Sequence, residues 1–460
     1  MIVMKFGGTS VGSREAIGRT IEIIRGRLSE RPVVVVSAMS KVTDMLYAIS
    51  SCVASGDLDG AREGIERLRE KHLGTIAELM QSDPLWRTEA ESRINAIIDR
   101  MAAYLDSPEG VAEIISNQAI INSKGEYLSS NMIYCAMNSC GIKTSWVDAR
   151  EFMVTSDDVM NGVPDTEEIV RLCPKSIDAA FSAVETSSAE KKAIEAVITQ
   201  GFVGTTRRGV ETVLGRGGSD YSASLIGMAL DAQKIEIWTD VDGVQSADPR
   251  KVDGTRRISR ISFEEAAEMA AYGAKVLHPK TIEPAVAKNI PVLVLNSMNP
   301  GGEGTVILQS AFIEDGVKSV SAKEKILLVS VSEPVLSNAS DLLSRTFAVL
   351  REEKVNVDLV NVGPSEILFT TDSRDYIDAA VKRLGEFAHV EVSDESSQVS
   401  VIGKNISELK VALRRASGLL GSSRLVSVAQ NESYVNISFV VPRDKVVDAT
   451  REIHSYLFGK

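Results

Sequence analysis

Histidine and cysteine are scarce in this chain, which has 4 of each in 460 residues. Cys52, Cys135, Cys140 and Cys173 form no Cys-x-x-Cys pair, and no His/Cys group has zinc-ligand spacing. A metal-ribbon or disulfide framework is therefore excluded as the organising principle, and the thiols read as reduced. A cationic surplus is also missing: 51 Lys and Arg stand against 63 Asp and Glu, for a formal net charge of -12. That balance excludes the broad basic face that nucleic acid or an acidic membrane requires. An anionic ligand must then be held by a few placed cations. No apolar run is long enough to span a bilayer, and Met1 leads into an apolar strand with no charged segment and cleavage site. The expectation is a cytoplasmic protein with neither nucleic acid nor membrane as partner.

What is present centres on Leu214–Ala223, Leu-Gly-Arg-Gly-Gly-Ser-Asp-Tyr-Ser-Ala, just before an apolar helix. Glycines let the backbone approach a ligand, Arg216 can grip a carboxylate bidentately, and Ser219 and Asp220 stand where a helix starts. The same residues also fit a capped glycine turn with Arg216 in a solvated ion pair. Near the N-terminus, Ile2–Phe6 reads as a strand, Gly7-Gly8 as a turn and the residues after Thr9-Ser10 as a helix. Such a turn suits a phosphate, although Lys5 precedes the glycines and the pattern is not a Walker loop; a plain turn with Lys5 in water is the other reading.

The length suggests about two to four domains. Val33–Val36 reads as a strand buried on both faces, with Ser37 and Thr43 offering hydroxyls at its carboxyl end or capping a helix. Residues 56–107 read as an inserted helical layer, from the spacing of Leu73, Ile76 and Met80 and of Ile94, Ile98 and Met101. Glu126 can receive an ammonium group or favour a helix N-terminus. Thr144–Val147, Ala196–Gln200, Ile235–Thr239 and Pro291–Leu295 are further strands, and Asp240 after the third is a nucleotide or magnesium candidate or an Asx turn. Phe263–Leu277 reads as a helix carrying Lys275. Strands alternating with helices predict a three-layer α/β domain with a mostly parallel sheet.

Asn299-Pro300-Gly301-Gly302-Glu303-Gly304 is the strongest linker signal, so the expected domains are 1–302 and 303–460. Beyond it, strand, helix, strand, strand, helix recurs: Lys325–Val331, Ala339–Glu353, Val355–Val360, Glu366–Thr371 and Tyr376–Leu384 form one unit, closed by a strand His389–Val392. Gln398–Ile402, Ser407–Ala416, Arg424–Ala429, Tyr434–Val441 and Lys445–Leu457 form the other. These are ferredoxin-like βαββαβ modules, spanning about 325–395 and 397–460. Val317–Ala322 is expected to complete the second from the N-terminal side, interleaving the two.

Lys5-Phe6-Gly7-Gly8-Thr9-Ser10, Ser37-Ala38 with Thr43, Gly125-Glu126, the Leu214–Ala223 loop, Trp238-Thr239-Asp240-Val241, Asp248-Pro249-Arg250 and Gly273-Ala274-Lys275-Val276-Leu277-His278-Pro279 stand in the order found in the aspartate kinases. The chain resembles that family over its whole length. The resemblance implies an amino acid kinase domain followed by two ACT modules, and phosphorylation of the L-aspartate side-chain carboxylate by ATP with Mg2+. Lys5 and Asp220 are then the catalytic pair. Ser37, Thr43, Glu126, Arg216 and Ser219 serve aspartate. Lys5, Phe6, Gly7, Gly8, Ser10, Thr239, Asp240, Gln245, Arg250, Lys275 and Val276 serve ATP, with Gln245 where the family commonly has tyrosine. Homodimerisation through the ACT modules and feedback by an amino acid such as lysine or threonine are further implications. The modules depart from the family at Ser337-Asn338-Ala339-Ser340, at Val362 and Pro364, and at Asn431-Glu432-Ser433-Tyr434, so dimerisation without sensing stays open. Another small-molecule kinase of the same fold, or a non-catalytic sensor, are the rival functions.

Overall fold

The apolar runs at the start of the chain become adjacent parallel strands in the computed structural model, which describes residues 1–183, 193–273, 279–309, 312, 314–333, 339–404, 425–430 and 435–459. In chain order the strands up to residue 308 are β1 (Ile2–Phe6), β2 (Pro32–Val36), β3 (Thr144–Trp146), β4 (Val154–Thr155), β5 (Ala196–Gln200), β6 (Val203–Thr206), β7 (Glu211–Val213), β8 (Ile235–Thr239), β9 (Arg260–Ser262), β10 (Val292–Asn296) and β11 (Thr305–Leu308). The described chain falls into two units, Met1–Val244 with Lys280–Gln309, and Gln245–Pro279 with Ser310–Lys460.

In the first unit the main sheet runs β3-β5-β2-β1-β8-β10-β11. It is parallel throughout except for the antiparallel β10–β11 hairpin. Every residue of β1, β2 and β5 is buried, as strands covered on both faces must be. A small sheet β4-β6-β7 stands beside it. Two sequence expectations change here. The helical layer is longer than 56–107: α2 (Val42–Ser55), α3 (Leu58–Leu79), α4 (Pro84–Tyr104), α5 (Pro108–Ser116), α6 (Ala119–Asn122) and α7 (Lys124–Ser139) follow α1 (Arg14–Arg25) with no described strand between β2 and β3. The reason is a shared core, in which Ile94, Ile98 and Met101 of α4 pack in one cluster with Leu128, Met132 and Ile133 of α7 and Leu46 and Ile49 of α2. Asp57, Asp83 and Ser107 cap successive helices and Pro84 and Pro108 open two of them, the expected chemistry of helix starts. The Asn299–Gly304 stretch is the turn of the β10–β11 hairpin, and residues 245–279 group with the second unit. A Gly/Pro signal marks a turn, and a turn need not separate domains. The unit also holds α8 (Thr166–Ser182) and α9 (Gly218–Ala229).

In the second unit, α10 (Phe263–Ala271) opens with a Ser262/Glu265 capping box. It stops at Ala271 rather than Leu277, because Gly273 adopts φ +105, which no helix continues. The strands are β12 (Gly316–Ser332), β13 (Val360–Val362), β14 (Glu366–Thr371), β15 (His389–Lys404), β16 (Leu425–Gln430) and β17 (Val435–Pro442), in one six-stranded sheet ordered β13-β14-β12-β15-β17-β16. The stretches Val317–Ala322 and Lys325–Val331, read separately in the sequence, are one strand with an irregularity between Lys323 and Ile326, where Lys325 takes φ +60. The first half of β12 faces the end of β15, which pairs on with β17; its second half pairs with β14 and the start of β15. This is how two ferredoxin-like modules interleave in one sheet. Helices Ala339–Glu352 and Arg374–Leu384 contribute Leu342, Val349 and Ile377 to a core with Val329 and Phe369; Val446–Phe458 contributes Ile453 to a core with Val320 and Phe439. The strand expected at Val355–Val360 is short and later, at Val360–Val362, because Val355 and Leu359 are buried from loop positions. The expected helix Ser407–Ala416 and the departures at 337–338 and 431–434 lie outside the described residues.

Candidate active site

The carboxyl ends of β1, β2 and β8 meet two helix starts. After β1 the chain turns at Gly7, whose N–H donates to the Trp238 carbonyl at 3.0 Å. Gly8 lies so close to the end of β2 that an added Cβ would stand 2.9 Å from the Ala38 carbonyl; its own carbonyl accepts from the Ser40 N–H and hydroxyl at 3.2 and 2.9 Å. This locks the glycine turn against the start of α2. From the other side, α9 begins at Gly218 behind a left-handed Gly217 and puts Asp220 in its first turn. Asp220 Oδ1 is 2.6 Å from Lys5 Nζ.

Around that ion pair lies a cavity of about 590 Å³ lined by Lys5, Gly8, Ser37, Thr43, Glu126, Arg216, Ser219 and Asp220, together with Lys41, Asp44, Tyr47 and Phe202. The last four were not singled out in the sequence. Lys41 and Phe202 each hold φ +67, backbone strain of the kind that gathers at working sites, and it leaves no sequence mark except that Lys41 stands between Ser37 and Thr43. Arg216 is exposed and makes no ion pair among the described residues. Glu126 is buried and accepts from the Ala38 N–H at 3.1 Å. Burial pushes its carboxyl up to about 8, against the opposing pull of that N–H and of the Lys5 charge. Burial, with the Glu126 charge, also raises Tyr47.

The remaining predicted residues fare differently. Phe6 is fully buried and its ring stacks on Trp238, centroids 6.1 Å apart, so only its backbone is available to a ligand. The Ser10 hydroxyl is buried and bonded to the Ser297 hydroxyl at 2.8 Å, which pins the glycine turn to the end of β10. Thr239 donates to the exposed Asp240 carboxylate at 3.2 Å. Gln245 and Arg250 belong to the second unit; there Gln245 bridges to Arg257 and the exposed Arg250 is held by Asp248 at 2.8 Å. Lys275 and Val276 lie outside the described residues. No group of three or more His, Cys, Asp or Glu side chains among the described residues forms a metal site. No described helix is long and apolar enough to cross a membrane.

The amino acid kinase family matches residues 1–296. Aspartokinase 1, chloroplastic, of Arabidopsis thaliana is 31% identical over 476 residues, covering 99% of this chain and 80% of the relative. The chain belongs to the aspartokinases of the amino acid kinase family. The lysine-sensitive aspartokinase 3 of Escherichia coli (strain K12) is 29% identical, with 100% of this chain and 99% of the relative covered. The solved structure of E. coli aspartokinase III in complex with aspartate and ADP superposes with a TM-score of 0.80 at 28% identity, each chain covered 100%. This aspartokinase also spans 50% of the plant bifunctional aspartokinase/homoserine dehydrogenases that it matches.

Proposed function

We propose that the chain transfers the γ-phosphoryl group of ATP to the side-chain carboxylate of L-aspartate, giving 4-phospho-L-aspartate and ADP. The observation that carries this reading is the Lys5–Asp220 ion pair of 2.6 Å in a cavity that also holds Glu126 and Arg216. A carboxylate nucleophile with an ordinary pKa of about 4 is ionised at neutral pH and needs no general base. A carboxylate oxygen attacks the γ-phosphorus, the bond to the bridging oxygen breaks, and ADP leaves with that electron pair. The protein supplies position and charge. Lys5 neutralises the transferring oxygens, and Asp220 holds its ammonium in place. Arg216 grips the α-carboxylate, Glu126 takes the α-ammonium, and Ser37, Thr43 and Ser219 complete the aspartate side. The Gly7-Gly8 turn meets phosphate with the Gly8 N–H, with Phe6 and Ser10 beside it; Thr239 and Asp240, with Gln245, Arg250, Lys275 and Val276, serve the nucleotide. Magnesium bound to the phosphates supplies further charge neutralisation.

The same reading divides the chain functionally into a kinase region that runs through the β10–β11 hairpin and a regulatory region built on the β12–β17 sheet. It makes the protein a cytoplasmic homodimer joined through its ACT modules, with lysine as the first effector to try, which the lysine-sensitive E. coli relative supports. The deciding experiment is aspartyl-hydroxamate formation from L-aspartate, MgATP and hydroxylamine, titrated with lysine and with threonine, on protein whose mass in solution is measured by light scattering. Aspartate-dependent hydroxamate is expected. Folded protein that phosphorylates glutamate or another acid in its place overturns the aspartate assignment.

A further inference from the structure

Behind the cavity wall, two chain segments that each carry a substrate grip are tied together by one buried cluster. Lys124 Nζ stands 2.6 and 2.7 Å from the two carboxylate oxygens of Glu211. The Ser123 hydroxyl donates to the same carboxylate at 2.6 Å, and Asn117 Nδ2 donates to the Glu211 carbonyl at 3.0 Å. The Lys124 and Glu211 side chains are only 13% and 12% exposed. Lys124 opens α7, immediately ahead of Gly125-Glu126, and Glu211 opens β7, whose chain runs directly into Leu214-Gly215-Arg216. Neither is among the residues lining the cavity. Two charges taken out of water lose hydration that their mutual attraction only partly returns, so stability alone is a poor reason for placing them there. What the pair does secure is register: it fixes where the first turn of α7 sits against the strand that delivers the glycine loop.

We propose that Lys124–Glu211 is a positioning pair that sets the separation of Glu126 from Arg216 and thereby the length of amino acid the site accepts. The inference rests on the substrate roles proposed above for those two residues. Together they fix the Cα of the substrate. The distance from that point to Lys5 then decides whether a side chain of one methylene, as in aspartate, or of two, as in glutamate, brings its carboxylate to the phosphoryl group. A small change in register between the two arms moves the Cα and loosens the choice.

The test is steady-state kinetics of the full chain with aspartate, glutamate and ATP, for the wild type, Lys124→Met, Lys124→Arg, Glu211→Gln and the charge-reversed double variant Lys124→Glu/Glu211→Lys, each checked for folding by circular dichroism. Lys124→Met and Glu211→Gln are expected to raise the KM for aspartate about tenfold and to narrow the preference for aspartate over glutamate, with the KM for ATP unchanged. Lys124→Arg and the reversed pair are expected to recover most of both. Folded single variants with wild-type KM and wild-type preference overturn the proposal, as do losses that fall equally on ATP and that the reversed pair does not recover, the mark of a merely structural tie. A wild type that makes no acyl phosphate from aspartate fails earlier, and overturns the aspartate reading together with this one.

Discussion

Lys5 Nζ and Asp220 Oδ1 are 2.6 Å apart, so the first strand of the protein and the first turn of α9 are joined by opposite charges at the mouth of one cavity. The side chains keep 11% and 20% of their exposure, and water therefore reaches both. Removing one charge should leave the fold intact and act on the chemistry. Lys5→Met is expected to abolish hydroxamate formation, and Asp220→Asn to lower kcat by about 10²-fold, the usual loss for one electrostatic group in a transition state. Circular dichroism and melting curves close to wild type would complete the result; a Lys5→Met protein with normal turnover would refute the assignment.

Glu126 makes stability depend on pH in an unusual direction. Its folded carboxyl is pushed from 4.5 up to about 8 by burial, so between those values the folded state holds a proton that the unfolded chain has released. The stabilisation is complete below about 4.5 and is lost as pH rises through about 8. Ligand-free protein should therefore melt lower at pH 8.5 than at pH 6, and Glu126→Gln should flatten that part of the profile. A substrate ammonium favours the ionised carboxylate, so aspartate binding near pH 7 should release a proton. Calorimetry in buffers of different ionisation enthalpy reads that release directly.

His72 governs the acid side by the opposite sign. It is fully buried in α3, its Nδ1 donates to the Leu68 carbonyl at 2.7 Å, and its Nε2 has no partner among the described residues. Burial pulls the ring down to about 4. Stability from the neutral ring is complete above about 6.5 and is lost as pH falls through about 4. His72→Leu should change stability at pH 7 by less than about 1.5 kcal/mol and reduce the loss between pH 6 and 4. Urea titrations at both pH values would show it; parallel acid profiles for the two proteins would contradict the account.

Gly125 lies where α7 crosses the end of β2, and an added Cβ would stand 2.6 Å from the Ala38 Cβ and 3.2 Å from Leu46. Gly125→Ala must push the helix start away from the strand. The expected cost is about 1–3 kcal/mol from overpacking, together with a raised KM for aspartate, because Glu126 moves with the helix and loses its bond to the Ala38 N–H. An unchanged KM in a destabilised variant would separate packing from substrate binding at this position.

What could be read in one dimension follows what each residue needs locally. Val33–Val36 is apolar in an unbroken row because a parallel strand covered on both faces has no polar side, and it forms such a strand. Lys5, Glu126, Arg216 and Asp220 each have an ordinary local use as a strand end, a helix start, a surface ion pair or a cap, and only the order of their motifs along the whole chain, shared with the aspartate kinases, set them apart. Other features have no local signature. The α2–α7 layer extends beyond 56–107 because α4 shares its core with α7, a contact between distant segments. The Ser10 hydroxyl bonds Ser297, a partner far along the chain. Lys41 and Phe202 reach the cavity wall through a left-handed backbone that their side chains do not announce.

One strand, Gly316–Ser332, contributes Val320 to one core of the second unit and Val329 and Val331 to another. Neither ACT module therefore owns a complete sheet, and neither can be cut from the gene as a self-sufficient piece. Amide protons of both modules should exchange as a single cooperative block, and a molecule that tightens one module lowers the opening rate of the other without any contact to it.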